Sequence, residues 1–136
     1  MANGDGQSVD WLARAERELL AAELVLGVEP ALSEIAAFHA AQAAAAALRG
    51  YLAAQGVEPP PGRGLQRLVD ECYALDPEFA GLVEAAAALA PYYEGYLAPA
   101  GAAPGVSAAE KALELAGGVL RFVQDRLGDE GPSGSS

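Results

Sequence analysis

At 136 residues the chain has single-domain length and can bury a sizeable core, although alanine inflates its 52% hydrophobic content. A net charge of −11 opposes nonspecific nucleic-acid binding, which draws on phosphate neutralisation by lysine and arginine. A single cysteine rules out an intramolecular disulfide framework, and the longest apolar run, Ala43 to Leu48, is too short to span a bilayer.

The start MANGDGQS has neither the basic nor the apolar segment of a signal peptide, so a cytoplasmic location is expected, with no membrane partner. Residues 1–7 read as a disordered terminus. Ser8 is placed to cap a first helix, with Asp10 in its first turn. Trp11, Leu12, Ala15, Leu19, Ala22 and Val25 or Leu26 then recur at helical spacing. Arg14, Arg17, Glu18 and Glu23 fall mostly off that stripe, and Gly27 is a natural stop.

A second helix is expected from about Pro30 to Gln55, with Gly56 just past its end. Its centre, IAAFHAAQAAAAALRGYL, is nearly all alanine, the best helix former, and its thin surface lets other helices approach closely. Gly50 weakens the helix by about 1 kcal/mol relative to alanine but permits close packing. Pro59, Pro60 and Pro61 form a stiff connector, and Gly62 and Gly64 flank Arg63 in a sharp turn. A short third helix, about Leu65 to Ala74, turns Leu65, Leu68, Val69, Cys72 and Tyr73 inward.

Asp76, Pro77 and Glu78 are a strong start signal for a fourth helix, which Pro91 is expected to kink or interrupt. Tyr92, Tyr93 and Tyr96 follow, and Ala98 to Val106 reads as a flexible loop. Ser107 with Glu110 forms a capping box for the last helix, which Gly128 ends, leaving 129–136 as a disordered tail. One isoleucine and no sustained alternation argue against strands. The expected fold is all-α: a five-helix up-and-down antiparallel bundle over 8–128.

Chemistry is sparser. His39, the lone histidine, is a candidate general base, but Ala36 and Ala43, a turn to either side, give it no partner on its own helix. Gln42 and Arg49 lie two turns apart on one side of the helix; with Arg63 and Arg67 they are a candidate nucleotide or anion site, since the guanidinium fork suits phosphate. The competing assignment pairs each arginine with one of the 19 acids. Tyr92, Tyr93 and Tyr96 are candidates for stacking on a base or packing at an interface. Cys72, on an inner helix face, reads as a buried thiol. The sequence offers no metal-ligand set, no glycine-rich phosphate loop and no sign of a cofactor.

Three features together resemble the HEPN family (higher eukaryotes and prokaryotes nucleotide-binding). These are the Trp-led helix WLARAERELLAAELVL; FHAAQAAAAALR with the following GVEPPPGRGLQRLVDEC; and LAPYYEGYLAP before the final helix EKALELAGGVLRFVQDRLG. The resemblance implies a homodimer, with the second or fourth helix near the interface. It also implies a nucleotidyltransferase partner in a toxin–antitoxin context, and nucleotide or RNA binding around Arg49, Arg63 and Arg67. Several family positions differ. Ala41, Ala45 and Ala46 stand where relatives often carry Gln, Glu and Lys; Arg63 replaces a common histidine; and Leu97, Ala98 and Pro99 replace an Arg-Tyr-Pro element. The family's ribonuclease signature, an arginine shortly before a histidine, has no counterpart at His39. The resemblance therefore implies a non-catalytic member, with a ribonuclease toxin built on an atypical His39 site as the alternative.

Overall fold

The computed structural model describes residues 2–58, 64–95 and 104–130, and among these every regular element is helical. The helices are α1 (Ala2–Leu26), α2 (Ser33–Ala54), α3 (Leu65–Leu75), α4 (Val83–Gly95) and α5 (Val106–Glu130), with a 3₁₀ segment, Pro77–Leu82, leading into α4. Arg63 and Tyr96 lie outside the described residues, as do Pro59 to Pro61, most of the loop before α5 and the last six residues.

Helix α2 is the centre of the bundle and packs against α1, α3, α4 and α5, most extensively against α1. Its alanines are the reason. Ala36, Ala37, Ala40, Ala41 and Ala43 through Ala47 are all buried, so four neighbours approach one backbone. The pairs Glu18 with His39, Trp11 with Arg49 and Leu12 with Gly50 run in opposite chain directions, so α1 and α2 are antiparallel. At Gly50 a Cβ would lie 3.1 Å from Leu12 Cδ2 and 3.3 Å from Trp11 Cβ. Glycine there admits the α1 side chains. Gly56, with φ +76°, follows the helix end in the left-handed conformation that glycine adopts at least cost.

An aromatic column closes the core. Phe79 of the 3₁₀ segment sits 4.5 Å from the Tyr51 ring of α2 and 5.0 Å from Phe122 of α5. Asp76 pins the same segment twice. Its carboxylate accepts the Glu78 N–H at 3.0 Å, the expected cap, and pairs with Arg126 Nη2 of α5 at 2.6 Å.

Several boundaries differ from the sequence reading. Helix α1 starts at Ala2, not Ser8; no proline interrupts residues 2–10, and Ser8 is buried inside the helix, not exposed at a cap. Helix α2 starts at Ser33, beyond Pro30, because the Leu32 N–H reaches back to the Val25 carbonyl at 3.0 Å and closes a turn. Pro91 leaves α4 continuous. Both Pro91 and Ala87, whose carbonyl it leaves without a helical donor, are exposed, so the lost bond falls on the solvent side of the helix. At α5 the Ala109 N–H bonds the Gly105 carbonyl, so the helix starts ahead of Ser107; it then runs past Gly128 through Asp129 to Glu130.

Cys72 is buried, with its Sγ 3.7 Å from the Leu48 carbonyl. Burial, reinforced by the charge of Glu71, pushes the thiol from 9.0 up to about 12. The native protein is therefore expected to resist iodoacetamide at pH 8 and to react once unfolded in guanidinium; equal rates in the two states would contradict the burial. Up to the thiol's unfolded value the folded state keeps its full advantage, and stability falls as pH rises from about 9 toward 12.

Candidate functional site

The most chemically equipped surface is an open hollow of about 360 Å³ between α1 and α2, lined by Arg14, Arg17, Glu18, Leu20, Ala21, Leu24 and His39. Helix α1 contributes Arg14 and, one turn on, the adjacent Arg17 and Glu18. His39 comes from the facing turn of α2. The Glu18 carboxylate bridges the two helices. Its Oε1 lies 2.7 Å from His39 Nδ1, and its Oε2 accepts from Arg14 Nε at 3.0 Å.

A carboxylate only accepts, so Nδ1 carries the hydrogen in this contact, and Nε2 is the basic nitrogen of the neutral ring. The Glu18 side chain is 13% exposed and that of His39 30%. Phe38 packs edge-on to the imidazole, ring centroids 5.8 Å apart. Two arginines against one carboxylate give this hollow a positive balance within a chain of net charge −11. It holds an oriented imidazole, two guanidiniums and an aliphatic wall, a combination suited to an anionic group carrying an apolar part.

Glu18 and His39 lie on different helices, so helical spacing around His39 does not point to it. A signal was present. Trp11, Ala15, Glu18, Ala22 and Val25 share one stripe at three- and four-residue steps, so Glu18 sits in a core register where an acid needs a partner.

Gln42 and Arg49 do lie on one half-buried edge of α2, but the Arg49 guanidinium sits over the Trp11 ring at 5.7 Å. Arg67 pairs with Glu71 on its own helix at 3.2 Å. Tyr92 and Tyr93 are half-buried against the core. Among the described residues no cluster of His, Cys, Asp and Glu is arranged to hold a metal, and no helix is long and apolar enough to cross a membrane.

A family model described as HEPN domain matches residues 8–126. The structure also resembles a solved one, the crystal structure of TT1696 from Thermus thermophilus, with a TM-score of 0.73 at 35% identity, covering 89% of this chain and 98% of that one. A comparison with curated proteins returned no match.

Proposed function

The chain belongs to the HEPN domain family, and from that premise we propose that it is a non-catalytic member acting by association, as a homodimer that docks a partner protein. One observation carries the reading. Of the large hydrophobic side chains exposed among the described residues, four fall in one stretch of chain: Leu20 and Leu24 on α1 are 55% and 63% exposed, and Val28 and Leu32 just after it are 45% and 38% exposed. Meanwhile Arg49 is engaged by Trp11, and Arg67 by Glu71. The family resemblance makes a nucleotidyltransferase in a toxin–antitoxin pair the first partner to try, with nucleotide binding near Gln42, Arg49, Arg63 and Arg67 as an accessory property.

The test is sedimentation of the purified protein at micromolar concentration, alone, with ATP, with short RNA and with a co-expressed nucleotidyltransferase. A dimer that co-sediments with the transferase is the expected result. A monomer that binds neither nucleotide nor protein would end the reading.

One observation favours a second reading, RNA cleavage at His39: Arg14 and Arg17 line the same hollow, and Glu18 holds Nδ1. In it, Nε2 takes the 2′-hydroxyl proton, the 2′-oxygen attacks phosphorus, an arginine offsets the phosphorane charge, and the bond to the 5′-oxygen breaks to leave a 2′,3′-cyclic phosphate and a 5′-hydroxyl protonated by solvent. Under this reading His39→Ala lowers cleavage by about 10²–10⁴-fold. Wild-type protein with no cleavage, or cleavage that survives the substitution, removes it.

A further inference from the structure

Helix α1 turns its buried stripe to the bundle and leaves the opposite face uncovered. That face carries Ala13, Arg17, Leu20 and Leu24, all exposed. Its two ends differ in charge. Toward the N-terminus stands Arg17, which has no ion pair among the described residues. Toward the C-terminus the helix has no basic residue in its last turn, so the negative end of its dipole lacks a cation of its own, and exposed Glu29 follows in the turn. Asp10, exposed at the same spacing, stands further back, but from Arg17 to the helix end the strip runs from positive through apolar to negative, and that stretch is complementary to itself when one copy is reversed.

We propose that this face of α1 is the seam of a two-fold, antiparallel homodimer in which Leu20 packs against the partner's Leu24, and Arg17 against the end of the partner's helix. The register follows from spacing. With Leu20 opposite the partner's Leu24, Arg17 stands three residues before Leu20, and so falls three residues beyond the partner's Leu24. The helix has ended there, at Leu26, and Glu29 is close by in sequence. Val28 and Leu32, just beyond the helix, are exposed as well.

The same packing gives the His39 hollow its missing wall. Leu20, Leu24, Arg14 and Arg17 line that hollow on the α1 side, and a second α1 laid along them covers its open mouth. Helix α2 is a poorer seam: most of it is enclosed by the other helices, leaving a narrow half-buried edge along Ile35, Phe38, His39, Gln42 and Arg49.

The proposal rests on the association reading, and sedimentation equilibrium of the full chain separates the two. Wild type is expected to be dimeric. Leu24→Glu is expected to raise the dimer dissociation constant about a hundredfold, with an unchanged far-UV circular dichroism spectrum because Leu24 is solvent-facing in the protomer. Arg17→Glu is expected to weaken it about tenfold, and Arg17→Glu combined with Glu29→Arg to recover most of that loss. A wild-type dimer that Leu24→Glu leaves intact places the seam elsewhere and overturns this proposal while the association reading stands. Loss of the dimer in Leu24→Glu without recovery in the charge swap overturns the antiparallel register. A monomeric wild type whose Leu24→Glu variant loses a bound partner protein assigns the face to that protein and overturns the homodimer. A wild type that neither dimerises nor binds a partner overturns both.

Discussion

Phe79→Ala is expected to cost about 3–5 kcal/mol of stability, the largest effect of any single truncation proposed for this chain. The residue is fully buried and is the middle ring of the column that joins Tyr51 of α2 to Phe122 of α5. It also belongs to the 3₁₀ segment Pro77–Leu82, which has few backbone bonds of its own to hold it. Removing the ring therefore opens a cavity between two long helices and unfastens the segment that carries it. The rings on either side, Tyr51 and Phe122, are held on two different helices and cannot collapse far into the space. Urea unfolding followed by circular dichroism measures the loss, and the melting temperature is expected to fall by about 10–20 °C. Phe79→Leu retains much of the volume and is expected to lose less than half as much. A loss below about 1 kcal/mol for the alanine variant would mean that the column is not a core element.

The helices themselves were legible because their signals are local. Alanine runs, apolar stripes at three- and four-residue steps and the Asp76–Pro77 start all depend on residues close in sequence. The cap at Asp76 and the left-handed Gly56 lie where those signals place them. What misled was punctuation overridden by surroundings. Ser8 reads as a cap by type but lies in a continuous helix, and Pro91, where a kink or an interruption is expected, leaves the helix uninterrupted and sits on its solvent-facing side. The candidate site was less legible because its contacts join different helices. Glu18 and His39 are 21 residues apart, and periodicity ranks faces without saying which faces meet. The alanines at positions 41, 45 and 46, where relatives often carry polar groups, illustrate the same limit. Sequence marks them as substitutions; the structure puts all three in the core at 3% exposure or less. Small side chains there fit the close helix packing around α2. The chemistry lies instead along the α1–α2 edge, with His39 and the arginines of α1.

Asp76→Ala is expected to cost about 2–4 kcal/mol, from two losses that a second variant separates. The first is the cap. The carboxylate accepts the Glu78 N–H, and replacing an aspartate cap by alanine costs about 1 kcal/mol. The second is the tie to α5. Arg126 reaches the same carboxylate through Nε at 2.9 Å and Nη2 at 2.6 Å, a two-pronged, charge-assisted contact. The Asp76 side chain is 10% exposed and that of Arg126 30%, so water screens the pair only from the arginine's side. Asp76→Asn keeps an oxygen for the Glu78 N–H and removes the charge; it should recover the cap and leave the ionic loss, about half the total. If the asparagine variant is as stable as wild type, the Arg126 contact is a surface pair of negligible value. If it is as unstable as alanine, the cap contributes nothing. Either outcome would also revise the account of Phe79. The carboxylate and the ring hold one short segment against one helix, so a double substitution should cost less than the two single losses added together.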